Sequence, residues 1–200
     1  MESVLSQIED KVLFDEVPCF ISIHDLDGRV LRANKMFKEI FGERDGEFCY
    51  QIYKLREDKC PICPIDHIQS SGKTFQHEEI VFTANGDPIN VLVNSAPIFG
   101  NDGKLVAVME IATDITETKR LQKKIEENTE RYKTLYNEVP CYISVQDSSF
   151  RLVDFNRQFK DEFGGKRGEH CYKVYKHRET WCDVCPVAQA FEDGKVHTSD

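Results

Sequence analysis

Eight cysteines stand in this chain of 200 residues, and their spacing is the first sign of chemistry. Cys49, Cys60 and Cys63 form a Cys-x10-Cys-x2-Cys set followed by Pro64, and Cys171, Cys182 and Cys185 form the same set followed by Pro186. A CxxC pair lets two thiolates converge on one ion, because the tight turn after the first sulfur points both inward. The proline that follows suits the first turn of a helix. Cys19 and Cys141 precede the sets and are candidate fourth ligands. The first strand alternates Cys19, Ile21 and Ile23 against Phe20, Ser22 and His24, so Cys19 is read as facing inward, where it serves equally well as a buried core thiol. Four thiolates fit either tetrahedral zinc or a four-iron cluster, and neither ligand type nor spacing separates the two. A metal-free alternative lets Cys60 and Cys63 form a reversible disulfide.

Cys49, Tyr53 and Arg56 fall on one helix face at steps of four and three, and Cys171, Tyr175 and Arg178 repeat them. A guanidinium near clustered sulfurs favours the thiolate; the plainer alternative is a surface ion pair with Glu57 or Glu179. Tyr50 and Tyr172 are read as packing residues. His67 has Gln189 at its matching position, which argues against haem in both places, and no CxxCH is present. His24, His77, His170, His177 and His197 read as surface residues. No GxxxxGK, HExxH or GxSxG motif occurs, and the carboxylates are scattered through helices and turns, so the expectation is a binding or sensing module and not an enzyme.

The cysteines belong to a larger repeat with a constant offset of 122 residues. VPCFIS matches VPCYIS, GEFCYQIYKLRE matches GEHCYKVYKHRE, and CPICP matches CDVCP. The first copy reads as strands at 19–25 and 29–34 around the DLDG turn, short helices at 35–41, around 49–56 and at 65–71, then three strands broken by NGD and GNDG. The second copy reaches Asp200 about where the first of those three strands would begin, so it is read as the first part of a domain. Between the copies, DITETKRLQKKIEENTERYKTLYNEVP predicts one long helix. Its Leu121, Ile125, Asn128, Tyr132 and Leu135 follow the steps of a coiled-coil seam, expected to pair two copies of the chain in parallel; the alternative is a solvated linker. The expected organisation is an N-terminal amphipathic helix at 1–15, a complete α+β domain with a five-stranded antiparallel sheet at 16–116, a linker helix at 117–137 and a partial second domain at 138–200.

A formal net charge of −9 argues against nucleic acid as a partner, and no run of apolar residues is long enough to cross a membrane. Without a signal peptide the chain is expected in the cytoplasm, where clustered cysteines are more often metal ligands or redox thiols than structural disulfides.

The opening VPCFISIHDLDGRVLRANKMFKEIFG, with its Asp-Gly turn, Asn34 and Phe37, and the closing strand KLVAVMEIATDITETKRL resemble the PAS domain family. The resemblance implies a sensory or dimerisation module in front of a histidine kinase, diguanylate cyclase or transcription activator, with Asp114 and Thr116 opening the signalling helix that carries Leu121, Ile125, Tyr132 and Leu135. It also resembles cysteine-bearing PAS sensors of anaerobic bacteria. That implies detection of a redox or small-molecule signal through an iron-sulfur, zinc or thiol centre, passed along the helix to an output domain of a two-component system. The alternative is a zinc-stabilised or metal-free scaffold for dimerisation and partner binding.

Overall fold

The computed structural model describes residues 10–199 and divides them into two compact units that meet between Gln122 and Lys123. The expected helix at 1–15 is described only as α1, Asp10–Asp15; its first nine residues lie outside the described residues.

Unit 1 continues with β1 (Phe20–His24), β2 (Val30–Ala33), α2 (Lys35–Phe41), α3 (Cys49–Lys54), α4 (Pro64–Ser71), β3 (Phe75–Phe82), β4 (Pro88–Phe99) and β5 (Leu105–Asp114). The five strands form one antiparallel sheet in the order β2-β1-β5-β4-β3, the α+β architecture read from the sequence. Phe20, Val30, Phe37, Phe41, Ile52, Val81, Val91 and Val93 form the larger core cluster. Cys63, Ile65, Ile68 and Val108 form a second cluster, against which Cys49 packs.

Asn34 ties β1 to α2. Its side-chain oxygen accepts from the Ile21 and Phe37 N–H groups, each at 3.0 Å, and its amide donates to the Cys19 carbonyl at 2.9 Å. It therefore caps a helix and replaces a ladder bond while fully buried. Gly28, at φ 92°, turns the chain between β1 and β2, and its carbonyl receives the Cys49 N–H at 2.8 Å.

The long helix α5 runs over Thr116–Glu138, within one residue of the expected bounds, and no side chain on it is buried. Its start is fastened to unit 1. Asp114 accepts from the Thr116 N–H at 2.8 Å, the Thr116 hydroxyl accepts from the Asn90 N–H at 2.9 Å, and Asn90 accepts from the Ile115 N–H at 2.8 Å.

Unit 2 contains β6 (Ser144–Gln146), β7 (Leu152–Phe155), α6 (Arg157–Phe163), α7 (Cys171–Lys176) and α8 (Pro186–Asp193). Each of β7 to α8 sits 122 residues after its counterpart in unit 1. Asn156 repeats the Asn34 cap, accepting from Ile143 and Phe159 and donating to the Cys141 carbonyl. Its core is smaller, built on Leu152, Phe159, Cys171 and Val174.

Candidate functional site

Three local signals bring the cysteines of unit 1 together. The Gly28 carbonyl anchors Cys49 at the first turn of α3, Pro64 starts α4 directly after Cys63, and the loop from 57 to 63 returns the chain between the two helices. Cys49, Cys60 and Cys63 line one cavity of about 360 Å³, together with Tyr53, Arg56, Lys59, Glu79 and Glu110. Cys19 does not line it; its carbonyl is held by Asn34 and its thiol is buried near the start of β1. Cys141 is exposed. Among the described residues no group of three or more His, Cys, Asp or Glu is arranged to hold a metal ion.

Burial dominates at two of the thiols. It pushes the Cys49 thiol far above its ordinary range, and the nearby Glu110, Cys63 and Cys60 reinforce the rise. Cys60 also moves up through burial, with Lys54 and Arg56 opposing only in part. Arg56 acts toward the thiolate of Cys60, but burial outweighs it. The physical reason is that α3 ends at Lys54, so Arg56 lies beyond the helix and is exposed, while the sulfurs are screened from water. Arg56 makes no ion pair with Glu57 among the described residues; in unit 2, Arg178 pairs with Asp183 at 3.3 Å and Glu179 with Lys173 at 3.2 Å.

The expected orientation of β1 is also corrected. Phe20, Ser22 and His24 face the helices, with His24 fully buried rather than on the surface. Ser22 Oγ lies 2.8 Å from both His24 Nε2 and Tyr53 Oη, His24 Nε2 lies 3.3 Å from Glu110, and the Ser95 hydroxyl donates to the other Glu110 oxygen at 3.1 Å. A period-two reading sends polar residues outward, but here Ser22 Oγ and His24 Nε2 have buried partners, which offsets much of the cost of desolvation, while His24 Nδ1 is buried without one. Sequence reasoning missed Ser22, His24, Ser95 and Glu110. The repeat held a signal for two members of the network, since Ser144 and Tyr175 recur at the Ser22 and Tyr53 positions and Gln146 takes the place of His24, bonding to Ser144 at 2.8 Å and to Tyr175 at 2.9 Å.

Burial raises Tyr53 well above the ordinary phenol range, and it raises Tyr175 to about 12. Burial also pushes the Glu79 carboxyl upward, but hydrogen bonds from His77 and Lys54 outweigh it and leave the group below its usual value.

Residues 17–117, which hold this sheet, its three short helices and the start of the helix leaving β5, match the PAS domain family. The chain belongs to the PAS domain family. The match covers the sheet and the cysteine cavity of unit 1; unit 2 lies outside it. No curated protein matches the chain. Solved structures with this fold include an RNA-binding light-oxygen-voltage receptor, 17% identical over 65% of this chain and 40% of its own, with a TM-score of 0.50. The PAS domain of a protein from Colwellia psychrerythraea is 18% identical over 57% of this chain and 99% of its own, TM-score 0.46. The Vibrio cholerae VqmA dimer, a DNA-binding receptor, is 18% identical over 58% of this chain and 53% of its own, TM-score 0.44. The chain spans about half to three fifths of the VqmA chains that it matches. PAS domains are in general sensory modules without catalysis of their own, and the family membership carries that role to unit 1. Among the described residues no helix is long and apolar enough to cross a membrane.

Proposed function

We propose that unit 1 senses redox state through the thiols of its cavity and passes the change through β5 into α5. The observation that carries the reading is that Cys49, Cys60 and Cys63 line one cavity against Glu110 of β5, the strand whose end is bonded into the first turn of α5. Free thiols at the cavity wall define the reduced state. Oxidation removes two protons and two electrons from a thiol pair, Cys60 and Cys63 in the CxxC, and delivers them to an external oxidant such as a peroxide, which leaves as water. The new bond shortens the 60–63 loop beside α4 and alters how it sits on β5.

The rest of the assignment follows the sequence. Unit 2 is the first part of a second PAS domain, the exposed Leu121, Ile125, Tyr132 and Leu135 pair α5 with that of a second chain, and the output is a kinase or regulator domain. A net charge of −9 speaks against nucleic acid as the partner. Zinc or an iron-sulfur cluster held by the trio is the other reading, favoured by the shared cavity.

The test is metal analysis, an absorption spectrum and thiol titration of protein purified without oxygen, then exposed to peroxide. A metal-free, colourless protein that loses two thiols per unit reversibly supports the thiol centre. A brown sample that bleaches in air replaces it with a cluster, stoichiometric zinc without a redox response supports a scaffold, and unchanged thiols in metal-free protein overturn all three.

A further inference from the structure

Several replacements separate the cavity of unit 1 from the matching region of unit 2, and three of them change its shape or charge most. Gly28, Lys59 and Pro61 stand where unit 2 has Phe150, Trp181 and Asp183. Phe150 packs against the cluster that holds Cys171, and its ring lies 5.7 Å from that of Trp181. Two aromatic side chains thus occupy positions that unit 1 leaves to a glycine and a lysine. Asp183 binds Arg178 at 3.3 Å, whereas Pro61 has no acid to offer Arg56.

Both units send that arginine in the same direction. Leu55 and His177 sit at φ 51° and 52°, left-handed positions that a residue with a Cβ adopts at a cost. The following N–H returns to the carbonyl of Tyr50 or Tyr172 at 3.1 Å in each case. Arg56 thereby lines the cavity, and among the described residues its guanidinium has no hydrogen-bond or ion-pair partner. The other two cations at the cavity are committed, Lys54 to Glu79 at 2.5 Å and Lys59 to Asp66 at 2.6 Å. On the sheet side, Glu110 is fixed by Ser95 and His24 and also lines the cavity. Pro61, Ile65 and Tyr53 supply apolar surface between.

We infer that the unit 1 cavity binds a small organic carboxylate, whose anionic group is gripped by Arg56 and whose far end carries a hydroxyl that donates to Glu110. The planar guanidinium meets a carboxylate through two parallel N–H bonds. A cavity of about 360 Å³ falls in the range of small-molecule sites, and its apolar walls favour an organic body over an inorganic anion. This goes beyond the redox reading and shares only its cavity.

The test uses the whole chain, reduced and treated with chelator, so a failure of thiol oxidation leaves it untouched. Backbone amide NMR follows titration with 4-hydroxybenzoate, 3-phenylpropionate and octanoate, with 4-hydroxybenzyl alcohol and inorganic phosphate as controls. 4-Hydroxybenzoate should bind saturably and more tightly than the two carboxylates without a hydroxyl, moving amides around Arg56 and Glu110 and none in unit 2. Its affinity should fall about tenfold or more for Arg56→Gln and for Pro61→Asp, which recreates the ion pair of unit 2. Equal binding of the alcohol, of phosphate or of a carboxylate without a hydroxyl, full affinity in Pro61→Asp, or no saturable binding of 4-hydroxybenzoate at millimolar concentration overturns the proposal.

Discussion

Units 1 and 2 carry the same segment of two strands and three short helices, yet unit 1 sets it on three further strands and unit 2, among the described residues, does not. The local chemistry survives this difference. The Asn34 and Asn156 caps, the N–H groups of Cys49 and Cys171 on the turn carbonyls, and the tyrosine hydroxyl bonded to the β-strand serine recur with nearly the same partners. What the long strands add is depth. They bring Val81, Val91, Val93 and Val108 to the core and Ser95 and Glu110 to the polar network, whereas Cys141 remains exposed where Cys19 is buried. The segment is thus specified by its own hydrogen bonds, and the cavity is made by what packs on it.

The sharpest way to break this comparison is to remove the caps. Asn34→Ala and Asn156→Ala each strip three bonds from a fully buried side chain; the first should cost about 3 kcal/mol in urea denaturation, and the second, whose neighbour Cys141 is exposed, about half of that by local amide exchange. Equal losses would mean that the sheet adds nothing to the cap. A second test exchanges the units' polar networks. His24→Leu leaves Ser22 and Glu110 short of partners and should cost about 2 kcal/mol, while His24→Gln copies the Gln146 arrangement and should stay within about 1 kcal/mol of the parent. Gly28→Ala comes next. A Cβ there meets Cys49 Sγ at 3.2 Å and φ is 92°, so a loss of about 1 to 2 kcal/mol is expected.

The smallest expected effect is on the pH profile. Burial raises Cys49, Cys60 and Tyr53, so the folded chain keeps protons that the unfolded chain releases. The contribution is complete below the unfolded thiol value of about 8.5 and is lost as pH rises through the raised folded values. Unit 1 should weaken above about pH 8.5, and Cys49→Ser should flatten that slope. Glu79, held below its ordinary value, works at the other end: its contribution is present above the unfolded carboxyl value and lost as pH falls through the folded one.

Much of the fold was legible because turns and caps are written locally. The DLDG, NGD and GNDG turns, Asn34 and Pro64 placed every element of unit 1 from β1 onward within about two residues, and DITE placed the start of α5. The cysteine trio was legible through the repeat. Less legible were features that depend on a distant partner. Ser22 and His24 look like an outward face until Glu110, 86 residues later, is opposite them, as its pairing with Ser22 across β1 and β5 shows. The length of α3 was overread because Leu55 is a good helix former forced into a left-handed turn, a place where a glycine would have announced the stop.

Gly28 sets an asymmetry in how the two copies can vary. Position 150 already accommodates a phenylalanine, so its turn tolerates bulk as long as the ring finds Trp181. At position 28 any side chain would crowd the Cys49 sulfur. A saturation library scored for folding should therefore accept only glycine at 28 while Cys49 is present, and a wider set at 150. A glycine retained at the first site and not at the second would mark, in a population of variants, which copy keeps its cavity open.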